Sequence, residues 1–228
     1  MKLIVLPGMD GTGEMLGALA AVLRTSHEVI IVSYPKDKLL TYPELADLVV
    51  QGLPQGQPFA LIGESFSGPV ATLLAARKPD GLKAVVFAAS FARTPAAFPK
   101  EFGWLANLVP LNTPWLLRLA QPFTFGRWRT EALDRLLAAA VLSVPARTLA
   151  FRIRQVLTVD VLAELAGEPV PMLYIRPTHD NLVPARASRE MKAANPALKI
   201  AEVEGPHFVL QAKPEDCAGR IRAFLTSI

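Results

Sequence analysis

The chain predicts an α/β fold, a doubly wound, mostly parallel sheet of about six strands broken once by a helical insertion. Three observations predict it. Short continuous apolar runs alternate with stretches of helical period over residues 1–90 and again over 166–228. Those runs are not polar on every second residue, so the sheet is covered on both faces, as parallel sheets are. Hairpin turns between the runs are missing, and right-handed crossovers then give the double winding.

The elements follow in order. Lys2–Leu6 is an apolar strand closed by Pro7-Gly8. A helix over Glu14–Arg24 carries Met15, Leu16, Leu19, Val22 and Leu23 at spacings of three and four. Glu28–Val32 is a β-branched strand. Thr41-Tyr42-Pro43-Glu44 opens a helix with a cap and a proline in its first turn. Phe59–Ile62 is a buried-type strand closed by Gly63. Pro69–Arg77 is helical, and Lys83–Ala88 is the fourth strand. The rhythm breaks after Ser90. Residues 91–165 hold all three tryptophans and nine of the 17 aromatics, and their readable elements are the helices Trp115–Ala120 and Glu131–Val144. Alternation resumes with strand Val170–Ile175, helix Ala185–Ala194, strand Leu198–Val203 and helix Pro214–Leu225. One core domain, 1–90 with 166–228, therefore carries one insertion, 91–165.

Composition excludes several classes. The chain of 228 residues is 51% hydrophobic and 19% charged, which argues against disorder. The single cysteine, Cys217, cannot form an internal disulfide and reads as a buried small hydrophobe; no Cys/His cluster has zinc spacing. The apolar run Leu3–Leu6 is too short for a signal peptide core of roughly 7–15 residues. Leu133–Val144 is interrupted by Asp134 and Arg135 and falls short of the roughly 20 residues of a spanning helix. A cytoplasmic protein without a transmembrane segment is expected. The net charge of +4 is the only hint of nucleic acid. It belongs wholly to residues 91–165, where eight Arg and one Lys face three Glu and two Asp. A basic, aromatic insertion beside a neutral core speaks against nucleic acid. It fits a substrate with an anionic portion or transient contact with an anionic lipid surface.

Four strand-end loops carry chemistry. Leu61-Ile62-Gly63-Glu64-Ser65-Phe66-Ser67-Gly68 runs a strand through a sharp turn into a helix, the context of a nucleophile elbow with Ser65 at its apex. Small residues must flank such a turn two positions away on either side. Gly63 supplies one, and Ser67 stands where glycine is usual, with Gly68 next. Pro7-Gly8-Met9-Asp10-Gly11-Thr12-Gly13 follows the first strand, where an acyl-transfer site draws one backbone N–H for its oxyanion. That donor is Met9, and the other is Phe66, the residue after the nucleophile. The loop lacks G-x-G-x-x-G order, and no acidic residue ends the second strand, so a dinucleotide site is not expected. Asp180 lies in the loop after the fifth strand, and His207 follows the sixth. The chain order Ser65, Asp180, His207 is the order this architecture uses.

On these residues the sequence resembles the α/β-hydrolase superfamily, with PGMDGTG and GESFSG looking like a bacterial esterase/lipase-type branch that begins directly at the oxyanion strand. The resemblance covers the chain outside 91–165. It implies strand order 2-1-3-4-5-6, Ser65 as nucleophile, His207 as base, Asp180 as its orienter and the Met9 and Phe66 amides as oxyanion donors. Asp160 is the alternative acid. It also implies that 91–165 caps the site. Trp104, Trp115, Phe123 and Trp128 then line an apolar acyl or alkyl site, within a wider aromatic set that includes Phe98, Phe102 and Phe125. The expected substrate is a small-molecule ester or thioester, with no cofactor and no metal, because acyl transfer through a serine needs neither.

Overall fold

The computed structural model describes residues 1–96 and 112–228. Its strands are β1 (Lys2–Leu6), β2 (Glu28–Ile31), β3 (Phe59–Glu64), β4 (Leu82–Ala88), β5 (Met172–His179) and β6 (Lys199–Pro206). They form one sheet in the order β2-β1-β3-β4-β5-β6, and every neighbouring pair is parallel. Successive side chains of a strand point to opposite faces, and β1 shows what that does here. Ile4 and Leu6 join the core under α2 (Tyr42–Val50) and α3 (Gly68–Ala76). Leu3 and Val5 join the core under α1 (Gly17–Leu23) and the C-terminal helix. Because both faces are covered, the central strands need no polar side, which is why they read as continuous apolar runs.

The helix after Thr41 starts as its sequence requires. The Thr41 side chain accepts from the Glu44 N–H, and the Glu44 carboxylate accepts from the Thr41 N–H at 2.8 Å, a reciprocal cap. The strands of the central and C-terminal sheet run further than their apolar stretches. β3 continues through Gly63 and Glu64, β5 to His179 and β6 to Pro206, each still paired with a neighbour. Backbone pairing continues where the side chains turn polar, and those polar ends are the ones that meet at the carboxyl edge of the sheet.

Between β4 and β5 lie α4 (Pro114–Thr124), α5 (Glu131–Leu142), α6 (Ala146–Thr158) and α7 (Leu162–Ala166). After β5 come α8 (Arg186–Ala194), α9 (Val209–Ala212) and α10 (Pro214–Thr226). Helices α6, α7 and α9 were not anticipated: α7 and α9 are too short to show a period, and three arginines interrupt the apolar stripe of α6. The inserted segment reaches the carboxyl ends of four strands. Arg152 meets the loops after β1 and β2, Lys36 after β2 donates to Ser143 at 2.8 Å, Trp128 lies edge-on to His179 at 5.1 Å, and Arg127 pairs with Glu204. A small core of Met15, Phe125, Leu137 and Ala140, with Phe208 against it, closes the contact. Among the described residues no single helix is long and apolar enough to cross a membrane; α5 and α6 meet that test only together, bent by 97°.

Candidate active site

β3 leads into a single 3₁₀ turn, Ser65–Ser67, and then directly into α3. Reversing the chain in so few residues forces Ser65 into the left-handed region, φ 44. That conformation is uncommon for a residue with a side chain and persists only where the surroundings hold it. The surroundings are small and polar. A Cβ on Gly63 would lie 2.8 Å from the Ser67 carbonyl, and one on Gly68 only 1.9 Å from the Ser90 hydroxyl. Gly68 is thus where the neighbouring strand-end presses closest. Position 67 can carry a side chain because it points elsewhere. Ser67 is fully buried, donates to the Pro7 carbonyl and accepts from the Tyr34 hydroxyl at 2.6 Å. The departure from glycine therefore ties the elbow to the loop after β1.

Ser90 and Tyr174, which the sequence reading did not single out, hold the other side. The Ser90 hydroxyl donates to the Ser65 carbonyl at 2.5 Å, and the buried Tyr174 hydroxyl accepts from the Ser90 N–H at 2.9 Å and donates to the Ser90 carbonyl at 2.6 Å. Burial pushes the Tyr174 hydroxyl well above the usual phenol range, so it remains a donor. The signal that could have found Ser90 is its position, a polar residue immediately beyond a buried parallel strand.

The structure brings Ser65, His207 and Asp180 together. Ser65 Oγ lies 2.9 Å from His207 Nε2, and His207 Nδ1 lies 2.9 Å from each oxygen of Asp180. Asp180 Oδ1 also accepts the Leu182 and Val183 amides at 2.9 and 2.8 Å, so the carboxylate is fixed before it meets the ring. The histidine and aspartate side chains are 4% and 6% exposed. A carboxylate on Nδ1 keeps the proton there and leaves the Nε2 lone pair facing the serine hydroxyl. Asp160, the alternative acid, instead pairs with Arg93 at 2.8 Å and is half exposed.

Both amides named from the sequence belong to trans peptides whose carbonyls are held. The Ser65 carbonyl accepts from Ser90 Oγ and the Gly68 N–H, so the Phe66 N–H of the same peptide faces the opposite way. The Gly8 carbonyl accepts from the Gly11 N–H at 3.0 Å, which likewise turns the Met9 N–H outward. Asp10 braces this loop by accepting the Thr12 N–H at 2.9 Å and the Thr12 hydroxyl at 2.5 Å. Glu64, next to Ser65, is buried and accepts from Gln211 at 2.7 Å and from the Gly8 N–H. Burial is the main reason its carboxyl rises from 4.5 to about 7, with the nearby Asp10 adding to it.

Of the other expected residues, Trp104, Phe98 and Phe102 lie outside the described residues. Trp115 and Phe123 are more than half exposed on α4, Trp128 is half buried against His179 with the Arg127 guanidinium over its ring, and Phe125 is buried against Phe208. Among the described residues no cluster of His, Cys, Asp and Glu is arranged to hold a metal ion.

The profile of the family described as the alpha/beta hydrolase family matches residues 3–220. The chain belongs to that family. Among solved structures, this hydrolase is similar in fold to the enol-lactonase from Burkholderia xenovorans LB400, at 19% identity and TM-score 0.84 over 99% of this chain and 91% of that one. It is similar to a thermophilic esterase from Thermogutta terrifontis, at 19% identity and TM-score 0.85 over 100% and 90%. The esterase from Exiguobacterium antarcticum matches at 15% identity and TM-score 0.87 over 99% and 92%. No curated relative is detected by sequence comparison.

Two outcomes follow for this hydrolase. Replacing Ser67 by Ala strands the Pro7 carbonyl and the Tyr34 hydroxyl in the interior. Urea unfolding should show a loss of about 1–3 kcal/mol; an unchanged midpoint would mean the link carries no stability. Glu64 binds its proton more tightly folded than unfolded, so its contribution is complete below pH 4.5 and lost as pH rises to about 7. Unfolding across that range should show the wild type losing on the order of 3 kcal/mol relative to Glu64→Gln, the equivalent of the shift. Parallel pH profiles would contradict it.

Proposed function

We propose that this hydrolase cleaves carboxylic esters with an apolar acyl or alkyl group through an acyl-enzyme on Ser65. The observation that carries the reading is the serine held left-handed at the strand–helix turn, its hydroxyl 2.9 Å from an imidazole whose other nitrogen rests on a buried carboxylate. Ser65 Oγ attacks the ester carbonyl carbon while its proton passes to His207 Nε2. The Asp180 carboxylate stabilises the imidazolium that forms. The carbonyl oxygen, now negative, takes hydrogen bonds from the Met9 and Phe66 amides, each worth roughly 2.7–4 kcal/mol in the transition state. Collapse expels the alcohol, which leaves with the proton from His207. Water then attacks the acyl-enzyme with His207 as base, and the free acid departs.

In this reading the inserted helices act as a cap. They rest on the carboxyl ends of four strands around Ser65, and the partly buried Phe208, backed by Phe125, offers apolar surface beside His207. The preference for an apolar group rests on that surface.

Labelling with a fluorophosphonate probe and turnover of a p-nitrophenyl ester test the reading together. The wild type should label at one site per chain. Ser65→Ala should neither label nor turn over, with activity down about 10⁴- to 10⁶-fold and the circular dichroism spectrum unchanged. Retained activity in Ser65→Ala would refute the assignment. Appearance of a new ester rather than free acid, when an acceptor alcohol is added, would make the protein an acyltransferase.

A further inference from the structure

We propose that Arg152 is a positioning residue for the oxyanion loop, so that the Met9 amide is correctly aimed only when the inserted helices are seated. This rests on the esterase reading above, and it assigns part of that site to a residue 143 positions away from the loop it holds.

Arg152 lies on α6 on the face that also carries Leu149 and Val156, and it is 3% exposed. Burying a guanidinium is costly unless its donors are used. Among the described residues it makes no salt bridge within 4 Å. It spends its donors on backbone instead. One terminal nitrogen donates to the Met9 carbonyl at 2.9 Å and the Asp10 carbonyl at 2.7 Å, and the other donates to the Pro35 carbonyl at 3.2 Å. Tyr34, which holds Ser67, lies 5.9 Å beneath the guanidinium. The loop is shaped around the group: a Cβ on Gly11 would lie 2.5 Å from the nearer nitrogen.

Five consecutive loop carbonyls show what Arg152 supplies. Pro7 is held by Ser67, Gly8 by the Gly11 amide, and Gly11 by the Tyr34 amide at 2.7 Å. Only the two in the middle, Met9 and Asp10, depend on a residue outside the core, and both depend on Arg152. Peptide planes are rigid, so a loop is free only at φ and ψ. Holding the Met9–Asp10 and Asp10–Gly11 planes removes the freedom by which the preceding plane, which carries the Met9 N–H, could swing away. Among the described residues no protein acceptor takes that N–H. A neutral side chain of similar volume could fill the space and is often more stable than a buried ion. What a neutral chain cannot do is fork to three carbonyls.

The test compares Arg152→Ala and Arg152→Lys with the wild type, with rates normalised to the serines that a fluorophosphonate labels at saturation. Misplacing one donor by about 1 Å costs about 10²-fold. For Arg152→Ala, kcat per labelled serine should fall by about that factor, with KM for a p-nitrophenyl ester held within about twofold. An alkyl boronic acid, which forms a tetrahedral adduct, should weaken in parallel with kcat. If Arg152→Ala yields no labelled serine, Arg152→Lys decides. It keeps the charge but not the fork, and kcat per labelled serine should fall about tenfold. Values per labelled serine equal to the wild type, whatever the loss of thermal stability, would overturn the proposal and make Arg152 a structural residue only. If the wild type itself labels independently of Ser65, the esterase reading has failed instead.

Discussion

Ser65 sits in a left-handed backbone conformation that a residue with a side chain adopts at a cost of order 1–3 kcal/mol. The rest of the site can be understood as what keeps it there. Gly68 lets Ser90 approach, Ser90 holds the Ser65 carbonyl, and Tyr174 holds Ser90 by both its amide and its carbonyl. On the other side Ser67 ties the elbow to the loop after β1 through Pro7 and Tyr34. The strained turn is thereby tied to the ends of β1, β2, β4 and β5, of which β1, β4 and β5 are buried on both faces in the sheet centre. A hydroxyl placed this way does not need to search for its imidazole.

The three residues that meet at the candidate site were legible because of where they stand. Ser65, Asp180 and His207 each follow an apolar strand, and a parallel sheet delivers all its strand ends to one edge. The strand order also follows from the resemblance to the superfamily, and the structure has it. The supporting residues were less legible. Ser90 and Tyr174 act through hydroxyls whose partners lie 25 and 84 positions away, and no local pattern announces such pairings. Ser67 looked like a defect in a motif and is a link between two loops. Arg152 was hidden in a count of basic residues, although helical spacing puts it on one face with Leu149 and Val156.

The basic excess of the insertion is changed most by the structure. Arg127 faces Glu204, Arg93 faces Asp160, Arg129 faces Asp134 and Arg135 faces Glu131, while Arg152 is buried on backbone carbonyls. Exposed pairs of this kind contribute ~0–1 kcal/mol each and are better regarded as fixing orientation. Three of these pairs join residues of the insertion and are already cancelled in its net charge, so only Arg127, on Glu204, and the buried Arg152 draw on the excess.

The most direct test of this account is a crystal structure of the protein carrying a phosphonate on Ser65. The account predicts one phosphonyl oxygen within hydrogen-bond distance, ~2.7–3.1 Å, of both the Met9 and Phe66 nitrogens. The Ser90–Ser65 and Arg152–Met9 hydrogen bonds should remain as they are without the adduct. An oxygen turned away from these amides, or a loop after β1 that rebuilds itself to reach it, would contradict the claim that the fold aims both donors in advance.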